Sequence, residues 1–326
     1  MRLIDQVFHA LNKTSNQSII EPVMQDHVSA AAQDLLNDSR YLNGAKFDFP
    51  VYTYKTKRFT IYSFDRPLCK KTWTHINDAF TLLETMHGTL SRPIEICLKY
   101  SRPRKTLPLH TNSILTSAQI NSGVSVRTSM VCVIYRLEEM HKVILHELLH
   151  LWLIDIAFDE SKDREIEQRL NLRVLNNSSI RLGEAYTDAF ACLYLAAMHV
   201  YRSNQTIDAF QKRFDHELIR VKSHIFNVAS RIIHFYQGKP WVEGTHVFSY
   251  YIAKALIFQN LDKFDQWISK QSNNGQGANY YEFIGPLCQH NFRQILALKP
   301  GSSHNTDESP SDSVRMMPIY KKIDST

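Results

Sequence analysis

Residues 142–155 read KVILHELLHLWLID. His146, Glu147 and His150 form H-E-x-x-H inside a run that is otherwise mostly apolar: Val143, Ile144, Leu145, Leu148, Leu149, Leu151 and Trp152. The run predicts a helix over residues 138–156, apolar round most of its circumference and therefore buried. On a helix, positions i and i+4 stack on one face. Two imidazoles and a carboxylate in such surroundings need polar partners. A core helix with two separately satisfied histidines is one answer. A single metal ion, serving both imidazoles at once, is the other. Zinc accepts two histidine nitrogens from one side, with Glu147 flanking the site. The metal would lower the pKa of its water, and the carboxylate would accept the proton. At this histidine content, chance supplies roughly 0.03 such motifs in a chain of this length, so the motif is suggestive and needs support from elsewhere in the chain.

Support comes from residues 181–199, RLGEAYTDAFACLYLAAMH. Glu184 and Asp188 are again i and i+4, on a helix whose other positions are mostly small or apolar. Two carboxylates there are unfavourable unless they bind a metal or hydrogen-bond donors. Glu184 could complete a His₂Glu zinc site with one position left open, as catalytic zinc requires. Asp188, one turn on, could accept the Nδ1–H of a ligand histidine, which fixes the tautomer and raises ligand basicity. Local capping or pairing is the plainer role for Asp188. Tyr186, at about 100° per residue, faces away from both carboxylates.

Around these two helices the chain divides by character. Residues 1–44 read as helical, with Leu3, Val7, Phe8 and Leu11 at helical spacing. Residues 47–65 hold two aromatic, β-branched strands. Residues 73–86 are helical, residues 92–100 a strand, and residues 130–135 (MVCVIY) a short buried strand. Residues 113–126 read as a strand, a turn at Asn121, Ser122 and Gly123, and a continuation. Beyond residue 138 only helices are expected: residues 181–202, 205–236, 245–260 and 279–297. Strands followed by helices indicate α+β architecture. The polar insert after the H-E-x-x-H helix, starting at Phe158, reads as a surface excursion. Residues 299–326 read as a disordered tail. The expected parts are a helical segment (1–44), a mixed lobe ending in the H-E-x-x-H helix (45–157), a helical lobe (158–298) and the tail.

H-E-x-x-H followed by Glu-x-x-x-Asp on a second helix resembles the gluzincin group of zinc metallopeptidases, to which thermolysin belongs. The likeness covers these two helices. It implies His146, His150 and Glu184 as ligands of one zinc ion, Glu147 as general base and Asp188 as the carboxylate that orients the first histidine. The spacing from His150 to Glu184 (184 − 150 = 34 residues) exceeds thermolysin's and requires an insert. The family also implies a zincin-like two-lobe fold: an N-terminal mixed sheet packed on the H-E-x-x-H helix, then an all-helical lobe. An edge strand lines the cleft and receives an extended peptide or protein substrate. Residues 113–126 are the candidate, which would bring Asn121 and Gly123 near the cleft; a plain hairpin turn is the other reading of that pair. The family's oxyanion donor is a His or Tyr of the helical lobe. Candidates are His234, His246, Tyr250 and Tyr251, with His246 and Tyr250 preferred because they are i and i+4. The implied activity is peptide hydrolysis. A catalytically inactive metal-binding interaction protein on the same fold, or a zinc hydrolase of another amide, would use the same motifs. The N-S-G strand, the IYRLEEMHK lead-in and HELLH together are similar, more loosely, to metallopeptidases encoded by large DNA viruses, which implies a virion or an infected host cell.

Composition narrows the field without choosing a function. The 326 residues carry 38 Lys and Arg against 32 Asp and Glu, a formal charge of +6 with no long basic block. Nucleic acid is therefore not an expected partner. Five widely spaced cysteines include no C-x-x-C, so buried free thiols and a reducing compartment are expected. The N-terminus lacks an apolar signal region and no long apolar run spans a membrane, so an intracellular, cytoplasmic location is expected.

Overall fold

A computed structural model describes residues 2–14, 18–38, 42, 45–101, 105, 107, 115–116, 120–172, 174, 179–236, 246–271 and 280–296. The fold is mixed α+β with a six-stranded mixed sheet. The described residues form two compact units, one made of those within 6–101 and 121–153, the other of those within 2–5, 105–120 and 154–296.

The first unit holds the sheet. After helix α1 (Arg2–Leu11) come strand β1 (Val23–Gln25), helix α2 (Ala30–Asn37), strands β2 (Val51–Lys55) and β3 (Phe59–Ser63), helix α3 (Lys70–His87) and strands β4 (Ile94–Leu98), β5 (Gly123–Val126) and β6 (Val131–Ile134). Their spatial order is β1-β2-β3-β4-β6-β5. β3, β4 and β6 run parallel, and the outer pairs β1/β2, β2/β3 and β5/β6 are antiparallel. Strands buried on both faces carry apolar residues at successive positions, which is why VCVI of β6 does not alternate. Val131 and Val133 pack with Val28, Ala32 and Leu35 around α2. On α3, Trp73 and Phe80 meet Phe59 of β3 edge-on or tilted, at ring separations of 5.9 and 4.5 Å. Helix α4 (Met140–Leu151), which carries H-E-x-x-H, packs beside α3 and against β5 and β6.

The second unit is helical. It comprises α5 (Glu160–Arg169), α6 (Gly183–Val200), α7 (Ile207–Tyr236), a π-helical segment (Phe248–Ala253) running into α8 (Lys254–Gln259), α9 (Leu261–Gln271) and α10 (Tyr280–Leu296). α6 is buried along most of its length, and Ala185, Ala189, Ala191, Ala196 and Ala197 let its neighbours approach closely. Tyr186 joins a ring cluster with Phe190, Phe264, Trp267 and Tyr280, as expected of a side chain facing away from Glu184 and Asp188.

Several local readings are corrected. Residues 1–44 are not all helical, because Val23–Gln25 forms edge strand β1, too short and exposed to show a period. The H-E-x-x-H helix is shorter than 138–156: Glu139 and Leu153 both take left-handed backbone, at φ 65° and 61°, and bracket it. Asn121 and Ser122 precede β5, while the reversal into β6 lies at residues 127–130. The insert holds helix α5. The candidate strand residues 113–114 and 117–119, and the tail at 299–326, lie outside the described residues. Cys97, Cys132, Cys192 and Cys288 are buried and Cys69 is half-buried, all as free thiols. No helix among the described residues is long and apolar enough to cross a membrane.

Candidate metal centre

Helix α4 sets out its chemistry by spacing alone. His146 and His150, one turn apart, bring their Nε2 atoms to 3.1 Å, with the ring planes 78° apart. In a tetrahedral zinc site with bonds of 2.0–2.1 Å, two ligand nitrogens stand about 3.3 Å apart. The pair lies close to that separation, which is equally that of the hydrogen bond the two rings make with each other here. His146 and Glu147 are buried, and His150 is half-buried. Arg127, at the β5–β6 turn, donates from Nε to the His150 carbonyl at 3.2 Å, satisfying a C-terminal carbonyl of the helix.

Glu147 lies against the edge strand. A methyl group on Gly123 would stand 2.9 Å from Glu147 Oε1 and 2.7 Å from Val143 Cγ1, so only glycine permits this approach. Cys132 on β6 also registers the carboxylate: burial first, then the charge of Glu147, pushes its thiol well above the usual range. Of the two residues placed near the cleft by sequence, Gly123 faces Glu147 with no room for a Cβ between them; Asn121, half-buried, precedes β5.

Glu184 stands in the first turn of α6, and the backbone leading to it is clamped. Asp163 Oδ1 accepts from the Leu182 amide at 3.1 Å, and Glu167 Oε1 accepts from the Ile180 amide at 2.8 Å. Ser249 Oγ donates to the carbonyls of Ile180 and, at 2.7 Å, Arg181; Tyr280 donates to the Leu182 carbonyl at 2.8 Å. Gly183 fits because a Cβ there would stand 2.9 Å from the Ile156 carbonyl oxygen. None of Asp163, Glu167, Ser249 or Tyr280 was singled out from sequence. The i and i+4 spacing of Asp163 and Glu167 in ESKDREIEQR is the one signal present, and it reads equally as a solvated face.

Tyr250 donates its hydroxyl to Glu184 Oε2 at 3.2 Å. His246 has left-handed backbone (φ 58°) just before the π-helical segment, its ring 5.9 Å from that of Tyr250, and its carbonyl accepts from the Tyr250 amide. The structure thus joins Tyr250 to Glu184. His234 is exposed in the last turn of α7, and Tyr251 is buried. Asp188 Oδ2 accepts from Lys254 Nζ at 2.7 Å, both side chains being inaccessible to solvent (0% and 1%). This partner is absent from the sequence reading, because a lysine in a helix is ordinarily a surface residue.

The ligand atoms of His146, His150 and Glu184 lie within 4.8 Å of one another, and the three residues form a group that could hold a metal ion. Two imidazoles and a carboxylate are a donor set that suits zinc. Comparison with protein-family models, curated proteins and solved structures returns no match for this chain.

Proposed function

We propose that the chain is a zinc-dependent peptidase, with His146, His150 and Glu184 holding one ion and the sheet and helical units serving as the lobes of a zincin-like fold. The observation that carries this is the grouping of those three side chains, two of them close to zinc-ligand spacing. The bound ion would supply Lewis acidity, acidifying water and polarising the scissile carbonyl.

The remaining steps belong to the chain. Glu147 Oε1, held beside Gly123, accepts the water proton and returns it to the leaving amine. Among the described residues β5 is the outer strand of the sheet, and its outer edge would offer backbone groups to an extended peptide next to that carboxylate. Tyr250, whose hydroxyl already touches a proposed ligand, donates to the oxyanion as charge develops, with His246 as its neighbour. Asp188, whose Oδ2 accepts from Lys254, is the carboxylate assigned to orienting the first histidine in this reading.

Glu147→Gln tests the mechanism. The variant is expected to bind zinc in the parent's ratio and to lose peptide hydrolysis by about 10²- to 10⁴-fold on a panel of denatured proteins. Cleavage at the parent rate would remove Glu147 from the reaction.

A further inference from the structure

Helix α6 begins without a cap of its own. Its N-cap, Leu182, has helical backbone and an apolar side chain that accepts no hydrogen bond. Arg181, one residue earlier, takes left-handed backbone at φ 42°, which residues with a side chain rarely adopt. A turn of this kind persists only where its surroundings hold it. Glu184, the proposed ligand, is the second residue of the helix that follows.

The hold comes from three other elements, all in the helical unit. From α5, Glu167 Oε1 accepts from the Ile180 amide at 2.8 Å, and Asp163 Oδ1 accepts from the Leu182 amide at 3.1 Å. Ser249, in the π-helical segment, donates to the carbonyls of Ile180 and Arg181. Tyr280, the first residue of α10, donates to the Leu182 carbonyl at 2.8 Å. The backbone of residues 180–182 is thus gripped at the amides of Ile180 and Leu182 and at all three carbonyls.

The two carboxylates are the informative members. Asp163 and Glu167 are both buried, and burying such groups is unfavourable. A serine or aspartate at position 182 would satisfy the start of α6 locally. Capping alone is thus a weak reason for them. A local cap closes a helix and leaves its direction free. Acceptors on a neighbouring helix also fix where the first turn stands. Asp163 and Glu167 are i and i+4, so a single face of α5 meets alternate amides of the turn. Glu184 leaves from that turn, and a ligand must be held to within about 0.5 Å to serve a metal.

We infer that Asp163 and Glu167 are positioning residues of the proposed zinc site, acting through the backbone of residues 180–182 on Glu184; this rests on the zinc reading above.

The test is zinc affinity of the full chain, measured by competition with a chromophoric chelator, together with the visible absorption of the cobalt(II)-substituted protein. Asp163→Leu and Glu167→Met, which keep size and remove the acceptor, are each expected to weaken zinc about 10- to 100-fold and to alter the cobalt bands. Asp163→Asn and Glu167→Gln, which keep an acceptor oxygen, are expected to stay within about threefold of the parent. In a Glu184→Ala background, Glu167→Met is expected to cost no further affinity, because it acts only through that ligand. Tyr280→Phe removes one hydroxyl from the same turn and carries the test where the apolar variants do not fold; a loss of about 3- to 10-fold is expected. Parent affinity and parent cobalt bands in a folded apolar variant, or in Tyr280→Phe where those do not fold, would overturn the inference and leave the zinc reading standing. An equal loss in the Glu184→Ala background, or in the amide variants, would overturn it too. A parent chain that takes up no stoichiometric zinc would overturn both.

Discussion

Gly123 and Glu147 face each other across a gap that admits no methyl group. The proposed base is buried, and the backbone of β5 comes close enough that a Cβ would meet its Oε1 at 2.9 Å and Val143 at 2.7 Å. Gly123→Ala is therefore expected to destabilise the sheet unit by about 1–3 kcal/mol, as overpacking does, read as a lower urea midpoint with unchanged slope. A midpoint equal to the parent's would show that α4 yields freely there and that Glu147 is not held by contact. At this scale the sequence was legible where chemistry is local. His146, Glu147 and His150 declare themselves by a spacing that any helix turns into one face. Tyr250 was one of several candidates, and its bond to Glu184 spans 66 residues that no local pattern encodes. Lys254 was not legible at all, because its burial is decided by Asp188 and not by its neighbours in the chain.

Helix α5 shows what an element can hide. ESKDREIEQR contains one apolar residue, Ile166, and reads as solvated surface. In the folded chain Asp163 and Glu167 turn inward and accept the Leu182 and Ile180 amides ahead of α6, work that an N-cap side chain of α6 would otherwise do. Burial pushes the Asp163 carboxyl up to about 7, against the downward pull of the Leu182 amide, with the Tyr281 hydroxyl alongside. An aspartate with a raised folded-state pKa binds its proton more tightly when folded. Its contribution to stability is full below about pH 4 and is lost as pH rises through about 7, on the order of 4 kcal/mol across that window. Asp163→Asn keeps an acceptor for Leu182 and has no proton to lose. Its melting temperature is expected to gain on the parent's by several degrees between pH 5 and pH 8. A difference between the two that stays constant over that range would show that Asp163 does not titrate there. Most other described elements followed their periods, although helix α9 (Leu261–Gln271) was not expected. β1 and α5, also misread, are pieces whose stability comes from partners and not from an apolar stripe of their own.

For the molecule as a whole, the segregation of strands before helices was visible in the order of periods, and the six-stranded mixed sheet follows it. The strand order was not visible, since β6 inserts between β4 and β5 through pairings that depend on register across the sheet. The +6 charge attaches to no element of the proposed site. The proposed function rests on His146, His150 and Glu184 holding a single ion together, although 34 residues (184 − 150) separate the last two. Zinc content and affinity of the parent, His146→Ala and Glu184→Ala, measured on folded protein, test it most directly. One zinc per parent chain and a loss of affinity of about 100-fold or more in each variant is the predicted result. A parent without stoichiometric zinc, or a Glu184→Ala chain that binds it as tightly as the parent, would contradict it.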